Sequence, residues 1–215
     1  MENPTGIFTN TLIWFGVAIS VSEIEAGIQI ASASSLNSLW LPLVLGHVLG
    51  GILLFFIGFI GAKLRINAME TTKSAFGKYG SKFFATLNVL QLIAWVAVLN
   101  AQGAVALVSL NLPISFEMTS AILAALVGLW VYIGLQRSTK ITTSVMSVLI
   151  ALLVILSVKL FVFSTPAGVN SIFSSSQALS FWNIFEISIA MPISWLPVIS
   201  DYTKDVENPV KATAA

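Results

Sequence analysis

Long runs without a charged side chain set the frame of this chain. Residues 26–62, 83–116, 118–136, 141–158 and 160–185 contain no Asp, Glu, Lys or Arg. A helix that crosses a bilayer needs about 20 largely apolar residues. Allowing for turns, the pattern predicts six spans, near 11–36, 42–62, 83–109, 118–136, 141–163 and 181–201. Turn-forming residues agree with these limits. Pro42 is expected to start the second span, Asn111–Pro113 to end the third, and Thr165–Gly168 to open the longest loop. The Ser-rich stretch Ser171–Ser180 reads as a surface connection with room for a short interfacial helix. The first span is not a cleaved signal peptide, because it has no basic leader, is too long, and carries Glu23 and Glu25 within it.

Composition narrows the class. Charged residues make up 9% of the 215 and hydrophobic residues 57%, with a mean hydropathy of +0.94. Globular proteins carry about 25% charged residues. So few charges cannot coat a water-soluble surface, which excludes a soluble enzyme, a nucleic-acid binder and a disordered linker. The absence of cysteine excludes disulfides and thiolate metal sites. The placement of the basic residues predicts orientation. Lys63, Arg65, Lys73, Lys78 and Lys82 lie between spans two and three, Arg137 and Lys140 between four and five, and Lys204 and Lys211 after six. Only Lys159 falls elsewhere, and it can snorkel from the end of span five. Both termini are therefore expected in the cytoplasm, on a multi-pass protein of the plasma or inner membrane.

Polar groups inside the spans point toward protein or a water-filled cavity, since hydrocarbon offers them no partner. Span one carries Gly16, Ser20, Glu23 and Gly27 along one line and Ala18, Ser22, Glu25 and Gln29 along a nearly opposite one. It is expected to be central and locally unwound around Ser20–Glu25. Span six holds Glu186 and is interrupted by Pro192 and Pro197, each of which lacks a backbone donor. Two interrupted spans at corresponding places in inverted repeats mark a transporter binding site. Here that relation implies a five-helix repeat, with span six opening the second unit. Span three supplies a third wall, with Asn88, Gln91, Trp95 and Gln102 on one face. A mid-span tryptophan beside amides suits a planar heterocycle, whose ring stacks while the amides read its edge. Plain packing for Trp95 and helix bridging for Gln91 stay open as alternatives, as does a protonated packing role for Glu23 and Glu25.

The stretch from Gly46 to Ser81 resembles the nucleobase–cation symporter-1 family of cytosine and purine permeases. It carries Gly46-His47, Phe59-Ile60-Gly61-Ala62-Lys63, Phe76-Gly77 and Gly80-Ser81. Trp14-Phe15-Gly16 and Ser22-Glu23-Ile24-Glu25 in span one, with Met191–Pro197 and Asp201–Lys204 around span six, are most similar to the hydroxymethylpyrimidine branch. The resemblance implies an all-α membrane protein with the inverted-repeat (LeuT-like) symporter fold, of which residues 1–215 form one transmembrane domain. Members are roughly twice as long, so the chain is expected to be an N-terminal half, completed by a C-terminal half or a second chain.

The resemblance further implies a substrate site containing Trp95, Gln91, Trp195 and Pro192, to which the unwound part of span one is expected to add Glu23 and Ser22. Pro192 stands where the family places an aromatic residue, and Trp195 lies three residues on. Carbonyls around Ala18–Val21 would serve the coupling cation, sodium or proton, with no other cofactor. The expected function is cation-coupled symport of a pyrimidine-like heterocycle across the lipid bilayer. The alternative is a truncated product, or a structural membrane subunit that does not transport. An intramembrane enzyme is not expected, because neither a Ser/His/Asp set nor an H-E-x-x-H pair can be assembled around His47, the one histidine. With no second ligand beside it, His47 is not expected to hold a metal.

Overall fold

A computed structural model describes residues 6–33, 36–111, 113–134, 139–163 and 179–214. They form helices α1 (Ile7–Val17), α2 (Val21–Ser32), α3 (Leu36–Leu64), α4 (Ala68–Thr71), α5 (Lys73–Val108), α6 (Phe116–Ile133), α7 (Thr139–Phe163), α8 (Phe181–Ile193), α9 (Ile199–Thr203) and α10 (Pro209–Ala214). Asn37–Leu64, Lys73–Val108 and Phe116–Ile133 are long and apolar enough to cross a membrane. The pair α1 and α2, bent by 47°, makes a fourth if it is one span. Thr143–Lys159 within α7 and Phe181–Ile193 are shorter apolar runs, so the count of six spans rests on the sequence pattern. The Ser-rich connection lies outside the described residues up to residue 178, as does Arg137.

Three expected boundaries move. Pro42 does not start span two, because the helix already begins at Leu36 and carries the proline inside it. Span three extends back through the basic stretch to Lys73, and its first turn is set off at Gly77. That residue has φ 64°, ψ −173°, a conformation a side chain would strain. The interruption of span one falls at Ala18–Ser20, one turn before the place expected from Glu23 and Glu25. Ser20 explains the shift. Its backbone is extended and its hydroxyl accepts from the Glu23 N–H (3.2 Å), which caps α2 and places both glutamates within helix.

The most extensive contact in the molecule joins α3 to α8, and α9 continues along the same face of α3. Glycines make this approach possible. A Cβ at Gly46 would stand 2.7 Å from Ser188 Cβ, one at Gly50 2.3 Å from the Pro192 ring, and one at Gly61 2.4 Å from Ser200 Cβ. Hydroxyls then lock the contact by donating to α3 carbonyls. Ser188 Oγ bonds Leu43 O (2.5 Å), Ser200 Oγ bonds Ile57 O (3.2 Å) and Thr203 Oγ1 bonds Gly58 O (2.7 Å). Both α8 and α9 are thereby fixed to one continuous helix.

Small apolar clusters close the two ends of this clasp. Ile30, Leu39 and Ile184 are buried together at one end of α3, and Ala62, Val206 and Ala212 at the other. Beyond the second cluster, Arg65 Nη1 donates to Lys204 O (3.0 Å) and Val206 O (2.5 Å), while the Ala68 N–H donates to Asp201 Oδ1 (3.0 Å). Asn10 Nδ2 donates to Ala212 O (2.7 Å) and ties α1 to α10. On its other side α1 meets α7, where Gly16 lies against the Met146 thioether. Helix α5 packs mainly on α6, with Asn100 Nδ2 donating to Ser120 Oγ (2.6 Å).

Replacing Gly61 by alanine should lower the unfolding free energy in detergent by about 1–3 kcal/mol, the usual cost of overpacking, because the new Cβ meets the Ser200 backbone at 2.7 Å. Gly51→Ala, which meets nothing within 4 Å, should be silent. Equal thermal shifts for the two variants would contradict the glycine clasp.

Candidate functional site

The interruption of α1–α2 and that between α8 and α9 face α5 across a cavity of about 740 Å³. Each arises from local sequence. In span one, Ala18 N–H still bonds Trp14 O (2.9 Å), Ile19 N–H reaches only Gly16 O (3.4 Å), and Ser20 then starts the next helix. In span six, Pro192 is accepted within α8, but the chain turns over Ser194–Val198 before α9 begins. Pro197 has no N–H to continue the ladder, and Val198 N–H bonds Trp195 O (3.0 Å), which leaves the Ser194 carbonyl outside helical pairing.

Span three supplies what these breaks lack. Gln91 Nε2 donates to Ser194 O (3.2 Å) and Asn88 Nδ2 to Pro197 O (3.4 Å), so two amides one turn apart meet the two carbonyls of the span-six turn. Gln102, further along the same helix, accepts from Ser22 Oγ (2.7 Å) and donates to Glu25 Oε2 (2.6 Å). Helix bridging is thus what Gln91 and Gln102 do in this structure. Trp95 stands between them on the cavity wall.

Of the residues expected at a substrate site, Trp95, Gln91, Glu23, Ser22 and Trp195 line this one cavity, with Ser20, Met191, Ser194, Asp201 and Tyr202. Pro192 is not among them, because its ring is turned to α3 and fills the space over Gly50. The residues expected at the cation site separate. Ala18 lines a second, smaller cleft with Asn10, Trp14 and Thr203, and Val21 is the exposed first residue of α2. Between the two cavities stands a group of three rings. Trp14 meets Trp195 edge-on at 5.6 Å and Tyr202 at 5.4 Å, and Trp195 meets Tyr202 at 6.4 Å.

Glu23 and Glu25 lie on opposite sides of α2 and differ in surroundings: Glu25 is bonded by Gln102, whereas Glu23 looks into the cavity. His47 lies outside this lining, its Nδ1 held by Ser188 Oγ at 2.5 Å. Ser20, Ser194 and Tyr202 line the cavity without having been expected at the substrate site. The Ser-x-x-Glu spacing of Ser20 and Glu23, a helix-start signal, marks the first. An aromatic residue following each proline of span six, Trp195 and Tyr202, was the remaining clue. No family model matches the chain, and no curated protein matches it either.

The Ser22–Gln102 bond is testable by a double-mutant cycle of Ser22→Ala and Gln102→Ala, read by unfolding in mixed micelles. Bonds between membrane helices average about 0.6 kcal/mol and reach about 1.7, and a coupling in that range is expected. Strictly additive losses would show that the bond does not join α2 to α5.

Proposed function

We propose that this chain carries the substrate-binding helices of a secondary transporter for a small planar heterocycle, pyrimidine-like in size, moved with a sodium ion or a proton. One observation carries the reading. Two helices interrupted inside apolar sequence face a shared cavity whose third wall presents Trp95. Irregular backbone at membrane depth is tolerated where it lines a cavity or is buried in protein, and a site between two such interruptions is how inverted-repeat carriers hold substrate. A ring of pyrimidine size fits well within 740 Å³ and would stack on Trp95 with its edge toward Gln91, Ser20 and Ser22.

The division of contacts supports a moving part and a fixed part. Helices α1, α3, α8, α9 and α10 hold together through the glycine clasp and the Arg65 and Asn10 bonds. Helices α5 and α6 form the other unit, joined to the turn before α9 by Asn88 and Gln91, to α2 by Gln102 and to α4 by Ser81. Rocking between the units would exchange these few bonds and expose the cavity alternately to each side. The excess of basic residues in the loops after spans two, four and six supports an orientation with those loops in the cytoplasm.

In proteoliposomes holding the completed transporter, with an imposed sodium or proton gradient, labelled cytosine or hydroxymethylpyrimidine should accumulate. Trp95→Ala should cut uptake roughly 5- to 150-fold, the range that stacking of a base on an aromatic ring supports. Uptake indifferent to Trp95→Ala would exclude this cavity as the site. Binding without uptake under either gradient would favour a membrane protein that does not transport.

A further inference from the structure

The cavity is electrically one-sided. Glu23 and Asp201 line it, and among the described residues no Lys, Arg or His does. Their partners inside the protein differ. Asp201 Oδ1 is met by the Ala68 N–H, and the neighbouring Glu25 outside the cavity is met by Gln102. The Glu23 carboxylate has no hydrogen-bond donor among the described residues. The His47 imidazole lies outside the lining, and its Nδ1 is engaged by Ser188. Two hydroxyl donors of the lining are committed elsewhere. Ser22 Oγ donates to Gln102 and Ser194 Oγ to Met191 O (2.7 Å).

An ionisable side chain at membrane depth needs a partner, and here an incoming ligand can be that partner. The wall adds to the preference, because Trp95, Trp195 and Tyr202 contribute aromatic surface, whose faces attract cations. A neutral dioxo ring would instead turn carbonyl lone pairs toward two carboxylates.

Resting on the transporter reading, we propose that the cavity selects planar nitrogen heterocycles that carry a positive charge, with Glu23 as the residue that sets this preference. The ring stacks on Trp95, and its charged nitrogen or protonated amidine edge faces the Glu23 carboxylate. Asp201, also in the lining, adds a weaker attraction, since one of its oxygens is already bonded.

The test compares two probes of one shape. 1-Methylnicotinamide is a permanently charged pyridinium, and 3-methylbenzamide is its neutral isostere. Tryptophan fluorescence of the purified full chain in nanodiscs reads their binding, with Trp95→Ala as the check that the quench reports this cavity. The cation should bind at least tenfold more tightly to the wild type. In Glu23→Gln that ratio should fall toward one while affinity for the neutral isostere is kept, and Glu25→Gln should leave the ratio unchanged. The wild-type ratio tests the charge preference even if Glu23→Gln does not fold, and Glu23→Asp, which keeps the charge, should then retain the direction of the preference. Equal binding of the two probes, or tighter binding of the neutral one, would overturn the charge preference and leave a heterocycle site standing. A preference that survives Glu23→Gln would overturn the role of Glu23. Absence of binding by both probes would count against this inference and against the transporter reading together.

Discussion

A backbone carbonyl or N–H released in an apolar environment must find another partner, and this requirement governs the whole arrangement. Two of the apolar segments are interrupted, and interruptions in hydrocarbon are tolerated only where protein or a cavity receives the freed groups. Around span six the reception is explicit. Ser194 O goes to Gln91 and Pro197 O to Asn88, both from one face of α5. Span one solves the problem within itself, since the Ser20 hydroxyl takes the Glu23 N–H and restarts the helix after a break of three residues. The cavity exists because these two solutions face each other across Trp95 and are not packed flat.

Holding a broken helix in register needs an unbroken neighbour, and α3 has that role. Its glycines present bare backbone to Ser188, Pro192 and Ser200, so the two helices can approach closely enough for hydroxyls to reach main-chain carbonyls. Small residues at helix contacts are favoured in membranes because van der Waals packing and such hydrogen bonds replace the hydrophobic drive available in water. The same clasp explains why Pro192 faces away from the cavity: its ring occupies the slot that Gly50 leaves open. A proline there serves packing and not recognition.

Much of the frame was legible in the sequence, and the reasons are specific. The uncharged intervals gave the apolar helices, because an Asp or Lys in such a segment is costly and therefore informative by its absence. The spacing of Asn88, Gln91, Trp95 and Gln102 placed them on one face, and that face does look toward spans one and six. What could not be read was which way each group turns. Gln91 could bridge helices or read a ligand on spacing alone, and only the position of Ser194 O decides that it bridges here. The break in span one was placed a turn late, because two glutamates suggested unwinding while the Ser-x-x-Glu start signal fixes helix from Val21 on. Pro192 was placed at the ligand site because it stands where the resembled family has an aromatic residue, whereas in this chain its ring fills the space that Gly50 leaves open.

Several polar side chains within the apolar helices are paired with a neighbour: Ser22 and Glu25 with Gln102, the Asn100 amide N–H with Ser120, His47 with Ser188. Such pairing makes helix contacts specific and leaves little to bind a solute. At Glu23 the pattern is reversed, with a carboxylate turned into an open volume walled by aromatic rings. An arrangement selected for stability alone would be expected to replace that side chain with an apolar one of similar size, since a buried charge without a partner is a net cost. Its presence beside Trp95, on the helical half that Ser20 caps in place, gives the cavity a directed chemistry and separates it from a packing defect of the same volume.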